Sequence, residues 1–234
     1  MEVDKLWFKD WFNSPYYHLL YNNRDDREAA AFIDKLLAYL QPLPGAEMLD
    51  VACGRGRHAK YLSDKGYNVT GIDLSIESIN AAKKLENDHL NFFQHDMRLP
   101  FWVNYFDVVF NFFTSFGYFE TQRDNDNALR TLANALKPGG RLVLDYLNSN
   151  YVASHLVTDE VKEKENVVFD IRRELKAHKF MKQISILDKE KMRRATYTES
   201  VNAFTREEFE AMFAKQGLKI TEIFGDFHFN SYDE

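Results

Sequence analysis

The sequence predicts an α/β protein: a doubly wound, mostly parallel sheet carrying a small antiparallel β insertion that acts as a lid. Three observations carry this expectation. Between residues 45 and 148, short apolar runs alternate with helical patterns, which implies parallel strands covered by helices on both faces. Over 149–203 the apolar residues alternate with polar ones, the pattern of antiparallel strands with one wet face. Between the first apolar run and the first helix of the alternating region stands Cys53-Gly54-Arg55-Gly56, a turn whose glycines let a ligand come close to the backbone.

The elements follow in order. Residues 1–22 are aromatic and read as irregular, with Trp7, Phe8, Trp11, Phe12, Tyr16, Tyr17 and Tyr21. Asp25 or Asp26 can cap a helix whose Phe32, Ile33, Leu36, Leu37 and Leu40 share one face, and Pro42-Leu43-Pro44-Gly45 stops it. Strands are expected at 47–52, 67–72, 90–94, 106–112 and 141–146. The helices between them end near Gly66, run over 76–86, and run over 124–136 before Lys137-Pro138-Gly139-Gly140. In the insertion, Val167, Phe169 and Ile171, then Ile184 and Ile186, then Ala195, Tyr197 and Val201 mark strands. Thr205 and Glu208 form a capping box, with Phe204 and Phe209 as its hydrophobic staple. That helix ends at Gly217, and Leu218–Phe224 is expected as a sixth strand of the main sheet. The chain thus divides into an N-terminal aromatic segment and helix (1–44), a sheet core (45–148), the insertion (149–203) and a returning helix and strand (204–234).

Composition narrows the function. With 234 residues and a net charge of -6 the chain fits one large domain with an insertion, and lacks the basic balance of a protein that binds nucleic acid through phosphates. Its charged N-terminus is not a signal peptide, and no window approaches the roughly 18 apolar residues of a membrane span. One cysteine, Cys53, excludes an intramolecular disulfide. A cytoplasmic protein acting on a small molecule is expected, with no nucleic-acid or membrane partner, as a monomer or homodimer.

Gly54-x-Gly56-x-x-Ala59 fits a dinucleotide fingerprint, and Asp73, at the end of the second strand, is placed to accept hydrogen bonds from a ribose. That much admits an NAD-dependent oxidoreductase. Asp50, ending the first strand, is poorly suited beside a pyrophosphate, because like charges repel. It suits a cofactor bearing an ammonium group, and S-adenosylmethionine has one, together with a sulfonium and no phosphate. Asp96, after the third strand, is placed to hold an adenine amino group.

These residues resemble the class I S-adenosylmethionine-dependent methyltransferases, a Rossmann-like family. The likeness runs through Leu49-Asp50-Val51-Ala52-Cys53-Gly54-Arg55-Gly56-Arg57-His58, Gly71-Ile72-Asp73-Leu74-Ser75 and Asp96-Met97. It continues in Phe106-Asp107-Val108-Val109-Phe110-Asn111 and Leu136-Lys137-Pro138-Gly139-Gly140-Arg141-Leu142. The resemblance implies that Ala52, Gly54 and Gly56 form the loop under the methionine part of the cofactor, with Asp50 orienting it. It implies Asp73 on the ribose, Leu74 and Met97 against the adenine, Asp96 on its amino group, and Asn111 and Phe112 on the floor below the sulfonium. Cys53 belongs to the same loop as a small buried neighbour of the glycines, and His58 reads as a first-turn helix residue, not a metal ligand.

Methyl transfer from a sulfonium needs alignment, exclusion of water and sometimes a base, so neither a triad nor a metal is expected. After Asn111 the sequence Phe112-Phe113-Thr114-Ser115-Phe116-Gly117-Tyr118-Phe119 lacks the Pro-Pro-aromatic motif of nucleic-acid amino methyltransferases. Asn111 replaces the metal-binding Asp of catechol-type enzymes. The likeness is to small-molecule N- and O-methyltransferases, including those of amino sugars. Tyr16, Tyr17 and Tyr21 could close over the cofactor, and Tyr17, Tyr118, His155, His178 and Tyr197 are candidates for acid–base work, each equally readable as packing or as a solvated face. A catalytically silent S-adenosylmethionine-binding module would share every one of these features. The family's seventh strand has no counterpart in the sequence.

Overall fold

The computed structural model describes residues 7–21 and 26–233. The N-terminal aromatic stretch is not irregular but forms two short helices, α1 (Trp7–Phe12) and α2 (Pro15–Leu20). Ser14 caps α2 through its hydroxyl, which accepts the Tyr16 N–H at 3.2 Å, and Pro15 opens the first turn. Helices of six residues do not persist in water alone. These two are held by burial of their aromatic side chains, with Trp11 wholly enclosed. Helix α3 (Asp26–Leu40) follows; of the two residues expected to cap it, Asp25 lies outside the described residues and Asp26 is the helix's first residue.

The core alternates as expected: β1 (Glu47–Val51), α4 (Arg57–Asp64), β2 (Asn68–Asp73), α5 (Ile76–Ala82), β3 (Leu90–Gln94), β4 (Phe106–Asn111), α6 (Gln122–Ala135) and β5 (Leu136–Leu144). All five strands are parallel, in the order β3-β2-β1-β4-β5. Successive residues of β1 feed opposite layers. Met48 packs with Ile33, Leu36 and Leu62 under α3 and α4, while Leu49 and Val51 pack with Leu132 and Ala135 under α6. The strand order reverses at β1, between β2 and β4, and the crevice at the carboxyl ends of such strands is where ligands bind. Helix α5 is shorter than expected, giving way to a single 3₁₀ turn at 83–85. Strand β5 begins earlier, because Leu136 pairs with Phe106 and the ladder resumes only at Arg141 with Val108. Pro138, Gly139 and Gly140 form the bulge between, with Lys137 Nζ bound to Asp107 at 2.8 Å.

Residues 149–203 build α7 (Ser149–Ser154) and an antiparallel sheet of β6 (Asp159–Lys164), β7 (Val167–Lys176), β8 (Lys179–Asp188) and β9 (Arg193–Asn202), paired in chain order. Phe169, Ile171, Ile184 and Ile186 line its buried face, as their alternation predicts. Strand β6 is exposed along most of its length and has no apolar face, so the pattern did not announce it. The sheet is tied to the core by Asn202, whose Nδ2 donates to the carbonyls of Gly117 at 2.6 Å and Phe119 at 2.8 Å. Helix α8 (Arg206–Lys215) carries the expected capping box, and the Phe204 and Phe209 rings meet at 5.6 Å.

One expected element is absent. Residues 218–224 form no strand, and among the described residues β5 is the edge of the sheet. Phe224 is drawn elsewhere, stacking on Phe229 at 4.6 Å and meeting Tyr39 of α3 edge-on at 5.3 Å. Aromatic partners on the outside of α3 thus replace a backbone ladder on β5. No described helix is long and apolar enough to cross a membrane.

Replacing Asn202 with Ala removes two side-chain hydrogen bonds to buried carbonyls, leaving Gly117 the residue-202 backbone N–H at 2.9 Å and Phe119 the Asn125 Nδ2 at 3.4 Å, and should lower stability by about 1–3 kcal/mol. Urea titration followed by circular dichroism measures the loss; an unchanged midpoint would show that the Asn202 bonds do not hold the two sheets together.

A candidate cofactor chamber at the strand ends

A cavity of about 800 Å³ lies over the carboxyl ends of β1, β2 and β4. Volumes of this size accommodate a cofactor-sized ligand. Its floor is the turn after β1, from Asp50 to Arg55, with Asp73, Leu74, Asp96, Met97 and Phe112. Trp7, Tyr17 and Tyr21 wall it from α1 and α2, Tyr118 from the segment after β4, and Glu199 and Val201 from β9.

The backbone of the floor is unusual. Ala52, Gly54 and Gly56 all have positive φ, at 60°, 56° and 81°. Left-handed backbone costs about 1–2 kcal/mol in a residue with a Cβ, so Ala52 needs outside support. That support comes from Asp73, whose carboxylate accepts the Gly54 N–H at 2.8 Å and the Ser75 N–H at 2.7 Å. The two glycines serve different ends. A Cβ on Gly54 would meet nothing within 4 Å, whereas one on Gly56 would lie 2.4 Å from Phe92 Cζ. Gly54 therefore leaves the loop bare toward the cavity, and Gly56, which does not line it, lets α4 pack on the core. At the end of β4, Phe113 and Thr114 are also left-handed. They are pinned by Asp145, which accepts the Phe113 N–H on its carboxylate at 2.7 Å and the Thr114 N–H on its carbonyl at 3.2 Å.

The acids differ in state. Burial, and then the charge of Asp73, push the Asp50 carboxyl up to about 7, and its Oδ2 is enclosed with no partner among the described residues. Burial also raises Asp73, against its backbone donors. Asp96 goes the other way: burial opposes ionisation, but the Arg98 guanidinium, bound through Nη2 at 2.6 Å, holds its carboxyl below the usual range. Cys53 is buried and its thiol is pushed up by burial and by the neighbouring acids, so it is a neutral packing residue. An enclosed carboxylate with one oxygen left without a partner, above a bare glycine turn, fits a ligand that brings its own positive charge, as the ammonium and sulfonium of S-adenosylmethionine do.

Most of the residues expected from sequence meet here: Asp50, Ala52, Cys53, Gly54, Asp73, Leu74, Asp96, Met97, Phe112, Tyr17, Tyr21 and Tyr118 all line the cavity. Others do not. Asn111 is fully buried behind the floor, where its Nδ2 donates to the Val51 carbonyl at 3.1 Å and joins β4 to β1. His155 stacks on Tyr151 at the surface, with centroids 4.1 Å apart. His178 pairs with Glu208 at 3.0 Å, and Tyr197 packs on Trp11; neither lines the cavity. His18, Glu199, Phe113 and His58 line it without having been singled out as site residues. Of these only His58 had a signal, its place on the first turn after the glycines. The others reach the cavity through tertiary packing.

A family model described as "Methyltransferase domain" matches residues 21–223. The chain belongs to this family, and is a class I S-adenosylmethionine-dependent methyltransferase. It is 27% identical over 216 residues to the dTDP-3-amino-3,4,6-trideoxy-alpha-D-glucopyranose N,N-dimethyltransferase of Streptomyces venezuelae, covering 89% of this chain and 91% of that one. Among solved structures, the sugar N-methyltransferase KedS8 from Streptoalloteichus sp ATCC 53650 aligns with a TM-score of 0.70 at 26% identity, over 86% of this chain and 83% of that one. An S-adenosylmethionine-dependent methyltransferase from Clostridium acetobutylicum ATCC 824 shares the fold, with a TM-score of 0.78 at 21% identity over 94% and 91% of the two chains.

Because the Asp50 pKa is higher in the folded protein than in the unfolded chain, its contribution to stability is complete below about pH 4 and is lost as pH rises through about 7. Asp50→Asn should therefore stabilise the cofactor-free protein more at about pH 8 than at about pH 5, while weakening the binding of S-adenosylhomocysteine. Thermal melts across that range, with and without the ligand, check both signs; a variant less stable than the parent at the higher pH would contradict the first.

Proposed function

We propose that this methyltransferase moves a methyl group from S-adenosylmethionine to an amine or hydroxyl of a small molecule inside the chamber over the strand ends. The observation that carries the reading is the chamber's composition. Carboxylates and a bare glycine turn form the floor, and aromatic rings with an antiparallel sheet form the roof. Bound there, the cofactor supplies a methyl group already activated by its sulfonium.

The residues then have separable tasks. Asp73, fixed by two backbone donors, takes the ribose hydroxyls, and the open Oδ2 of Asp50 compensates positive charge near the glycine turn. Asp96, held ionised by Arg98, accepts from the adenine amino group, with Leu74 and Met97 against the ring. Tyr17, Tyr118 and Phe112 present aromatic surface that excludes water and attracts cations. The sheet of residues 149–203 acts as the lid on the acceptor side, since Glu199 and Val201 reach the cavity from it. The similarity to amino-sugar N,N-dimethyltransferases favours an amine-bearing small molecule over a nucleic acid, as does the net charge of -6. The single cysteine, Cys53, buried and unpaired, favours a reducing compartment such as the cytoplasm.

Asp73→Ala should weaken S-adenosylhomocysteine binding by about 1–3 kcal/mol, the range for losing a charged hydrogen-bond acceptor, as read by calorimetric titration. Turnover is tested by screening amines, amino sugars, phenols and tRNA for release of S-adenosylhomocysteine. Robust methylation of tRNA with no small-molecule acceptor would overturn the substrate class.

A further inference from the structure

The roof of the chamber consists of two pieces far apart in sequence, the α1–α2 pair and the antiparallel sheet. One side chain on the cavity wall joins them. Glu199 of β9 is the only acidic residue the antiparallel sheet contributes to the described lining, and its side chain is 17% exposed. Its Oε1 accepts the Trp11 Nε1–H at 2.7 Å and the Tyr21 hydroxyl at 2.8 Å. Its Oε2 lies 3.4 Å from Lys182 Nζ on β8. Lys182 also donates to the Tyr21 hydroxyl, with its ammonium 4.8 Å from the centre of the Tyr21 ring. The Trp11 ring lies against Tyr197 of β9, with centroids 4.8 Å apart.

Everything the carboxylate grips on α1, and at the end of α2, belongs to short helices that need anchoring. At the far side of the same pair, Asn13 Oδ1 accepts from the Ser75 hydroxyl. Ser75 in turn donates its N–H to Asp73. Polar contacts at Glu199 and at Ser75, joined by the short stretch of backbone from Trp11 to Asn13, therefore link the sheet to the acid assigned to the ribose. Burial lowers the Lys182 pKa and raises that of Tyr21, so the phenol stays neutral and acts as a hydrogen-bonding link, not as a base.

We propose that Glu199 is a positioning residue that clasps the α1–α2 pair to the antiparallel sheet, so that both close over the chamber as one cover and retain the bound cofactor. This rests on the assignment of the cavity as the cofactor chamber. The clasp acts through Trp11 and Tyr21 and requires nothing of Glu199 toward the reacting atoms. Removing the carboxylate takes this acceptor from the Trp11 indole N–H and the Tyr21 hydroxyl and leaves the buried Lys182 ammonium without its counter-charge. Glutamine retains an acceptor for Trp11 and Tyr21 but strands the ammonium. Combining it with Lys182→Met removes that stranded charge.

The test uses the full chain with S-adenosylhomocysteine as probe, measuring dissociation by stopped flow and local opening by hydrogen exchange. Glu199→Ala should release the probe about tenfold faster. It should also abolish the ligand-induced protection of residues 7–21 while leaving exchange in β1 and β4 at the parental rate. The Glu199→Gln, Lys182→Met double variant should recover to within about threefold of the parent, because its hydrogen bonds survive without an unpaired charge. Parental dissociation and parental protection of 7–21 in Glu199→Ala would overturn the clasp. So would an equal rise in exchange throughout the parallel sheet, the sign of a merely structural role. A parent that binds no S-adenosylhomocysteine would overturn the chamber assignment first and this inference with it, an outcome read before any variant is compared.

Discussion

The Asp73 carboxylate, accepting one N–H from the turn after β1 and another from the turn after β2, is the contact on which the site depends. Parallel pairing of β1 with β2 brings the two turns side by side, but pairing ends at the last rung, Val51 with Ile72. Beyond it the backbone must reverse through left-handed residues, one of which, Ala52, is not glycine. Without an acceptor for the Gly54 N–H the turn would have a range of conformations open to it. With Asp73 in place it is held by that bond together with the Cys53 N–H on the Ile72 carbonyl and the Gly56 N–H on the Cys53 carbonyl, and the acid that orders the turn is also the one proposed to meet a ribose. Order and recognition draw on the same carboxylate.

That economy carries a penalty in the cofactor-free protein. Asp50 and Asp73 are both buried near the same turn, where burial raises both carboxyls and the charge of Asp73 further disfavours the charged form of Asp50. A structural carboxylate would find a cation or a full set of donors, as Asp107 does with Lys137 and the Glu47 N–H, or Asp96 with Arg98. Asp50 keeps one oxygen without any partner among the described residues. The charge missing from the protein is the one a cationic ligand supplies, so ligand binding and relief of this local destabilisation become the same event.

How legible this was follows from how local each feature is. The alternation of the core, the glycine turn and the acids at the strand ends are properties of neighbouring residues, so the position of Asp50, Gly54, Asp73 and Asp96 on the cavity was legible from their spacing. Asn111 was misplaced because a strand-end residue can face the crevice or the next strand, and register alone decides; here its amide binds Val51. Leu218–Phe224 looked like a strand because its residues are apolar, yet Phe224 found aromatic partners on α3. The N-terminal helices escaped detection because six-residue segments carry too little periodicity, and only tertiary burial of Trp11 and its neighbours makes them helical. Strand β6 escaped because it has no buried face to leave a pattern.

The contrast between floor and roof follows the same line. Floor residues lie within one or two elements of the strands that position them, and backbone geometry fixes them before any side chain packs. Roof residues are brought together across separations of 188 positions for Trp11 with Glu199 and 172 for Tyr16 with Asp188. They hold only if the antiparallel sheet and the aromatic helices are both formed. Those long-range bonds lie outside the β1–β2 and β1–β4 ladders, which are paired through their own backbone. The chamber is thus built from a half set by backbone geometry and a half set by contacts between two distant segments. A methyltransferase must admit and release its cofactor at every turnover, and in this fold the contacts between those two segments, not the parallel ladders, stand over the cavity.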